Sequence, residues 1–172
     1  SDRMLGYQLW LNLPRQEKMA DPAYLSITGD RIAHAKSGKA EVLVLSGRFQ
    51  DAEGITPRHI PAAIYDVKLP KGERIDIDTK PGDTVFVFLI EGEAEIGGQT
   101  VPEKTAVLFG EGDRITVAAT PGSALRFAYF AGKPLHEPIA WGGPIVMNTR
   151  EELQLAFDEL NRGTFIRHGS NG

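Results

Sequence analysis

Between Glu41 and Phe130 the chain is a succession of short alternating runs, and that rhythm constrains the fold more than any other feature. EVLVLSG (41–47), IPAAIYDVKL (60–69), ERIDID (73–78), TVFVFLI (84–90), EAEI (93–96), TAVLF (105–109), RITVAA (114–119) and ALRFAYF (124–130) are each bounded by Gly, Pro or Asp. Successive side chains on a strand point to opposite faces, so alternation marks half-buried strands. Many such strands with a turn every ~8–12 residues predict a sandwich or barrel. In 60–69 the apolar positions Ile60, Ala62, Ile64, Val67 and Leu69 change phase, which predicts a bulge. TVFVFLI is almost continuously apolar, which predicts a central strand covered on both faces.

The flanks read differently. Tyr7 to Leu13 alternates, with Tyr7, Leu9, Leu11 and Leu13 on one face, and predicts a strand ending at Pro14. Residues 15–40 are polar and read as an ordered linker, with a short strand near Ser26 and Ile27. Thr149 to Asn161 predicts a helix. Thr149 and Glu152 fit a capping box, Gly163 a C-terminal stop, and Leu153, Ala156, Phe157 and Leu160 one apolar stripe. That stripe is expected to cover a barrel face or edge. The opening SDRMLGYQLW carries no initiator Met and reads as the start of a trimmed chain.

Composition removes several function classes. The chain has no Cys, which rules out disulfide scaffolds, thiolate metal sites and Cys nucleophiles. A net charge of −4 with scattered Lys and Arg disfavours direct nucleic-acid binding. No apolar segment reaches transmembrane length, so no membrane partner is expected. The expected location is cytoplasmic, or nuclear in a eukaryote.

The glycine spacing of the central strands resembles that of cupins. Their first motif, G-x5-H-x-H-x4-E-x6-G, fits Gly72 at its start and Gly92 at its end. H-x-H places two imidazoles on one strand face, and a Glu and a third His from neighbouring strands complete a site for Fe or Mn. Here the ligand positions read Asp78, Lys80 and Val85. In the second motif, G-x5-P-x-G-x2-H-x3-N, Gly110-Glu111-Gly112 stands for P-x-G, Ile115 for the His and Ala119 for the Asn. Asp78 alone could ligate a metal. Lys80 would repel one and is expected to pair with Asp78. Val85 and Ile115 offer only packing, so no metal is expected in this barrel.

The histidines do not repair the site. His34, His59, His136 and His168 form no H-x-H, H-x3-H or HExxH pattern. His59, close to a strand start, is the one to watch. Glu93/Glu95 and Asp76/Asp78 sit at strand spacing, where a solvent-facing strand accounts for them.

Beyond the cupin frame, the chain resembles the C-terminal part of a pirin. The resemblance rests on YQLWLNLPRQEKMADPAY (7–24), VLVLSG (42–47), YDVKLPKGE (65–73), LIEGEAEIG (89–97), TAVLFGEGDRI (105–115) and AGKPLHEPIAWGGPIVMNTREEL (131–153). It implies an all-β fold, a cupin double-stranded β-helix (jelly-roll barrel) with a C-terminal α-helix. It implies residues 1–14 as the last strand region of a truncated N-terminal cupin, 15–40 as linker, 41–147 as a metal-free C-terminal cupin and 148–172 as helix and tail. Pirins hold iron in the N-terminal cupin through three His and one Glu, so no catalytic, cofactor or metal residue carries over to this chain. Its first partner would be that N-terminal cupin.

Three functions follow as expectations. The intact protein resembles an iron-dependent quercetin-type dioxygenase, of which this is the non-catalytic part. Alternatively, it is a redox-sensing regulator or binding module for a transcription factor or metabolic enzyme. A third reading puts a new site on Asp78, Lys80 or His59. The Tyr7–Leu13 strand is expected to dock on the barrel or to pair with a second copy as a dimer.

Overall fold

The alternating runs become strands because each presents an apolar stripe that only a facing sheet can bury. In the computed structural model, which describes residues 6–166, these are β1 (Ala33–Ser37), β2 (Ala40–Ser46), β3 (Arg48–Phe49), β4 (Ala52–Glu53), β5 (Ala62–Leu69), β6 (Arg74–Asp78) and β7 (Thr84–Glu91). They continue with β8 (Ala94–Ile96), β9 (Gln99–Val101), β10 (Ala106–Leu108), β11 (Arg114–Ala119), β12 (Leu125–Gly132), β13 (Ala140–Gly142) and β14 (Ile145–Met147), followed by the helix α1 (Arg150–Arg162). The chain divides into two compact units. One is Ser26–Pro134, and the other joins the residues up to Leu25 with those from Leu135 onward.

Ser26–Pro134 holds two antiparallel sheets. The larger runs β1-β2-β5-β12-β7-β10 and the smaller β6-β11-β8-β9. From β5 to β8 and from β10 to β12, successive strands alternate between a large-sheet and a small-sheet position. Their inward faces share one core: Val67, Val87 and Phe127 from the large sheet meet Ile75, Ile77 and Val117 from the small one. This two-sheet jelly roll is the all-β barrel that the strand spacing predicts.

Gly92 makes the turn from β7 to β8 possible. Its φ is +81°, and a Cβ there would lie 2.0 Å from the Ala124 carbonyl oxygen. Gly72, at φ +69°, has open space around it and needs only the backbone freedom. The two motif glycines are thus required for different reasons.

Several expectations shift. The bulge lies in β2, between Val44 and Ser46, while β5 pairs with β12 in unbroken register from Ala62 to Leu69. β5 therefore buries Tyr65, Val67 and Leu69, and Ile64 turns to the other face with Asp66. β7 lies between β12 and β10 and buries Val85, Val87 and Leu89, while Phe86 and Phe88 on its other face are half-buried. β1 lies within the stretch read as linker, and Ser26 and Ile27 belong to no strand. Tyr7–Leu13 is also not a strand: no described segment forms a ladder with it, and a strand without a neighbour has no partner for its N–H and C=O groups.

The helix matches its sequence signals closely. The Thr149 side chain accepts from the Glu152 backbone N–H, Glu152 closes the capping box, and Gly163 ends the helix at φ 70°. Its buried face packs on its own unit: Ala156, Leu153 and Phe157 meet Ile145 and Met147 of β14. Leu160, read as part of the stripe, is 45% exposed. The β13–β14 hairpin groups with this helix and not with the barrel strands, although it falls inside the stretch 41–147 read as barrel. Among the described residues, no helix is long and apolar enough to cross a membrane.

Candidate functional site

The motif count assigns the cupin ligand positions to Asp78, Lys80, Val85 and Ile115. Asp78 ends β6 directly opposite Arg114 of β11, and the Arg114 Nε donates to its carboxylate at 2.9 Å. Both side chains are largely exposed. The expected partner, Lys80, stands past the strand end in a turn closed by the Asp83 N–H to the Lys80 carbonyl. Asp78 therefore pairs across the ladder instead of along the chain. Val85 and Ile115 are 4% and 6% exposed and belong to the hydrocarbon core. One carboxylate committed to Arg114, one ammonium and two aliphatic side chains do not fit a bound iron. Among the described residues, no group of three His, Asp or Glu comes together to hold a metal.

The histidines lie elsewhere. His34 is exposed on β1, and His136 is exposed with φ 54°. His59 is half-buried in the loop before β5. None of these three lines the barrel mouth, and His168 lies outside the described residues. Of the paired acids, Asp76 accepts a hydrogen bond from Thr116 at 2.6 Å on the exposed face of the small sheet.

Two of these positions, Asp78 and Lys80, line a cavity of about 500 Å³ at the mouth. Asp78, Thr79 and Lys80 stand on one side, Arg48, Gln50 and Glu53 of the β3–β4 hairpin on another. Tyr65 of β5 and Tyr129 of β12 reach it from the core. They are register partners, and their rings stack at 4.9 Å with planes 10° apart. Phe49 meets the Tyr65 ring edge-on at 5.6 Å. The Tyr65 hydroxyl donates to the Arg48 carbonyl and so ties the hairpin to the floor. Burial pushes the Tyr65 phenol up to about 12. Burial also pushes the Tyr129 phenol up, with Tyr65 and Asp83 adding to it. Both remain neutral O–H groups at ordinary pH.

The sequence reading missed this pair. A signal existed: Tyr65 and Tyr129 occupy inward strand positions otherwise held by Val, Leu, Ile, Phe or Ala, and a buried Tyr brings a hydroxyl that needs a destination. It also missed a polar cluster in the terminal unit. The Glu137 Oε2 accepts from the Arg15 backbone N–H at 2.9 Å and from Asn148 Nδ2 at 3.0 Å. Arg15 in turn reaches the Glu152 carboxylate at 3.4 Å.

Fold and mouth together define a cupin-type barrel with Val85 and Ile115 in its core and Asp78 and Lys80 at its mouth. Residues 64–166 match the Pirin C-terminal cupin domain, and the chain belongs to the pirin family. It is 35% identical over 98% of its length to a Thermoplasma acidophilum protein provisionally named a quercetin 2,3-dioxygenase, covering 67% of that protein. It is 35% identical to human pirin, with 88% of this chain and 53% of pirin aligned. A solved quercetin 2,3-dioxygenase from Acinetobacter baumannii superposes at a TM-score of 0.83 with 32% identity, covering 91% of this chain and 55% of that one. The chain thus spans between about half and two thirds of the length of these relatives.

Proposed function

We propose that this chain is the non-catalytic cupin part of a pirin-type protein whose intact form opens quercetin or a similar flavonol with O₂. The observation that carries this is the content of the ligand positions: Val85 and Ile115 lie in hydrocarbon, and Asp78 is engaged by Arg114. Such a barrel supports a reaction carried out elsewhere. The names of the Thermoplasma relative and the Acinetobacter structure support the choice of substrate class. In this reading the iron sits in the N-terminal cupin of the intact protein, the expected partner of this barrel.

The test is metal content and quercetin consumption under O₂, measured on the 172-residue chain and on a version extended at its N-terminus. The short chain is expected to copurify without iron and to leave the flavonol absorbance unchanged, and the extended one to bind iron and bleach it. Ring opening by the short chain would overturn the reading. Inactivity of both would remove the dioxygenase and leave the redox-sensing regulator, to be pursued by partner capture.

A further inference from the structure

We propose that the mouth of this barrel binds a small neutral polyhydroxyl compound, held between the Tyr129 hydroxyl and the Asp83 carboxylate. This goes beyond the supporting role proposed above and does not depend on iron or O₂.

Tyr129 is 2% exposed, and both its ring faces the core and its hydroxyl lines the cavity. Among the described residues that hydroxyl has no hydrogen-bond partner, whereas its stacking partner Tyr65 donates to Arg48. A buried Tyr normally directs its hydroxyl to a hydrogen-bond partner, and this one lines the cavity, so its partner is whatever fills that space, water or a ligand. Asp83, half-buried on the same wall, likewise makes no side-chain hydrogen bond or ion pair among the described residues. Its charge is felt at Tyr129, one of the causes that raise the phenol above its ordinary range, after burial and Tyr65.

The chemistry of the occupant follows. Tyr129 offers a donor and an acceptor, and Asp83 only acceptors. A ligand with two hydroxyls satisfies both, giving one O–H to the carboxylate and exchanging a hydrogen bond with the phenol. An anion against Tyr129 would face the Asp83 charge. An organic cation would meet Arg48 and Lys80 on the same rim, where Glu53 and Asp83 balance them and Asp78 is already matched by Arg114. An apolar molecule would leave both polar groups unmet. Small walls at Pro61, Ala63 and Ala131 leave room for a ring, and about 500 Å³ falls in the usual range for small-molecule sites.

The test titrates the 172-residue chain by calorimetry with catechol, glucose and benzoate. One or both diols are expected to bind saturably. Catechol alone identifies a phenolic ligand, glucose alone a sugar-like one, and either supports the site. Tyr129→Phe keeps the ring stack and removes one oxygen, so it should weaken binding by up to about tenfold while the melting temperature holds. Asp83→Asn, outside the core, should weaken it comparably and serves if the tyrosine variant fails to fold. The proposal is overturned by no saturable binding of either diol, by tighter binding of benzoate, or by diol affinity unchanged in the folded variants. Because the readout is binding to this chain alone, it stands or falls separately from flavonol oxygenation.

Discussion

The barrel of Ser26–Pro134 and the unit built from the chain ends are stabilised in different ways. Among the described residues, the barrel closes two sheets over one cluster of nineteen buried apolar residues, while the cluster around the helix and hairpin of the terminal unit has three. Burial contributes about 25 cal/mol per Å² of apolar surface, so the barrel's stability lies in its interior. The terminal unit leans on directional contacts: the capping box, the Gly163 stop and the Glu137 carboxylate that links Arg15 to Asn148. Asn148 itself is 4% exposed and donates to both Glu137 and the Pro138 carbonyl. The contrast predicts that steric and volume changes matter most in the barrel, and that caps and polar partners matter in the terminal unit.

The largest effect should come from Gly92→Ala. The new methyl would meet the Ala124 carbonyl at 2.0 Å in a backbone already at positive φ, so a loss above about 4 kcal/mol is expected. A soluble variant melting near the parent temperature would break the link between the motif glycine and the turn. Next is Phe127→Ala, which empties a fully buried position and should cost about 3–5 kcal/mol in urea unfolding.

The tyrosine floor gives a pH test of intermediate size. Tyr65 titrates at about 12 in the folded chain and near 10.0 when unfolded. The unfolded state loses its proton first as pH rises, so this contribution is complete below pH 10 and is lost as pH climbs through about 12. It amounts to on the order of 2 kcal/mol. Tyrosinate absorbance of the native protein should therefore lag that of the unfolded chain; coincident curves would place the ring in water.

Smaller still is Thr149→Ala, which removes the helix cap and should cost about 1 kcal/mol. Amide exchange across Arg150–Arg162 should speed up about fivefold, with β5 and β12 protection unchanged. Acceleration in both units would mean that they unfold as one. The smallest change is expected from Asp78→Asn. It removes an ion pair between largely exposed side chains, and the melting temperature should stay within measurement error. A clear drop would give that rim a structural role.

Much of the fold was legible because strands write their period directly into the chain. β6 and β11 match ERIDID and RITVAA almost residue for residue, and Thr149, Glu152 and Gly163 mark the helix ends. β9, β13 and β14 escaped notice because each is only three residues long and is cut off by a neighbouring Gly or Pro before alternation registers. Tyr7–Leu13 misled for the opposite reason: it alternates well, yet alternation describes faces and says nothing about whether a neighbouring strand is present. Val85 and Ile115 could be placed in the core by counting from Gly72 and Gly112, because motif spacing fixes which strand position points inward. The Asp78 partner could not, since Arg114 is 36 residues away and adjacent only through the β6–β11 register.

By itself, then, the sequence determined the all-β jelly roll, the glycine frame, the capped helix and the burial of Val85 and Ile115. Each of these is set by local periodicity, by backbone freedom at a glycine or by fixed spacing. Tertiary structure decided the Tyr65–Tyr129 stack, the engagement of Asp78 by Arg114, the bulge in β2 and the cavity that both tyrosines line. All four depend on which strands become neighbours and in what register, and pairing between distant segments is a property of the packed sheets as a whole.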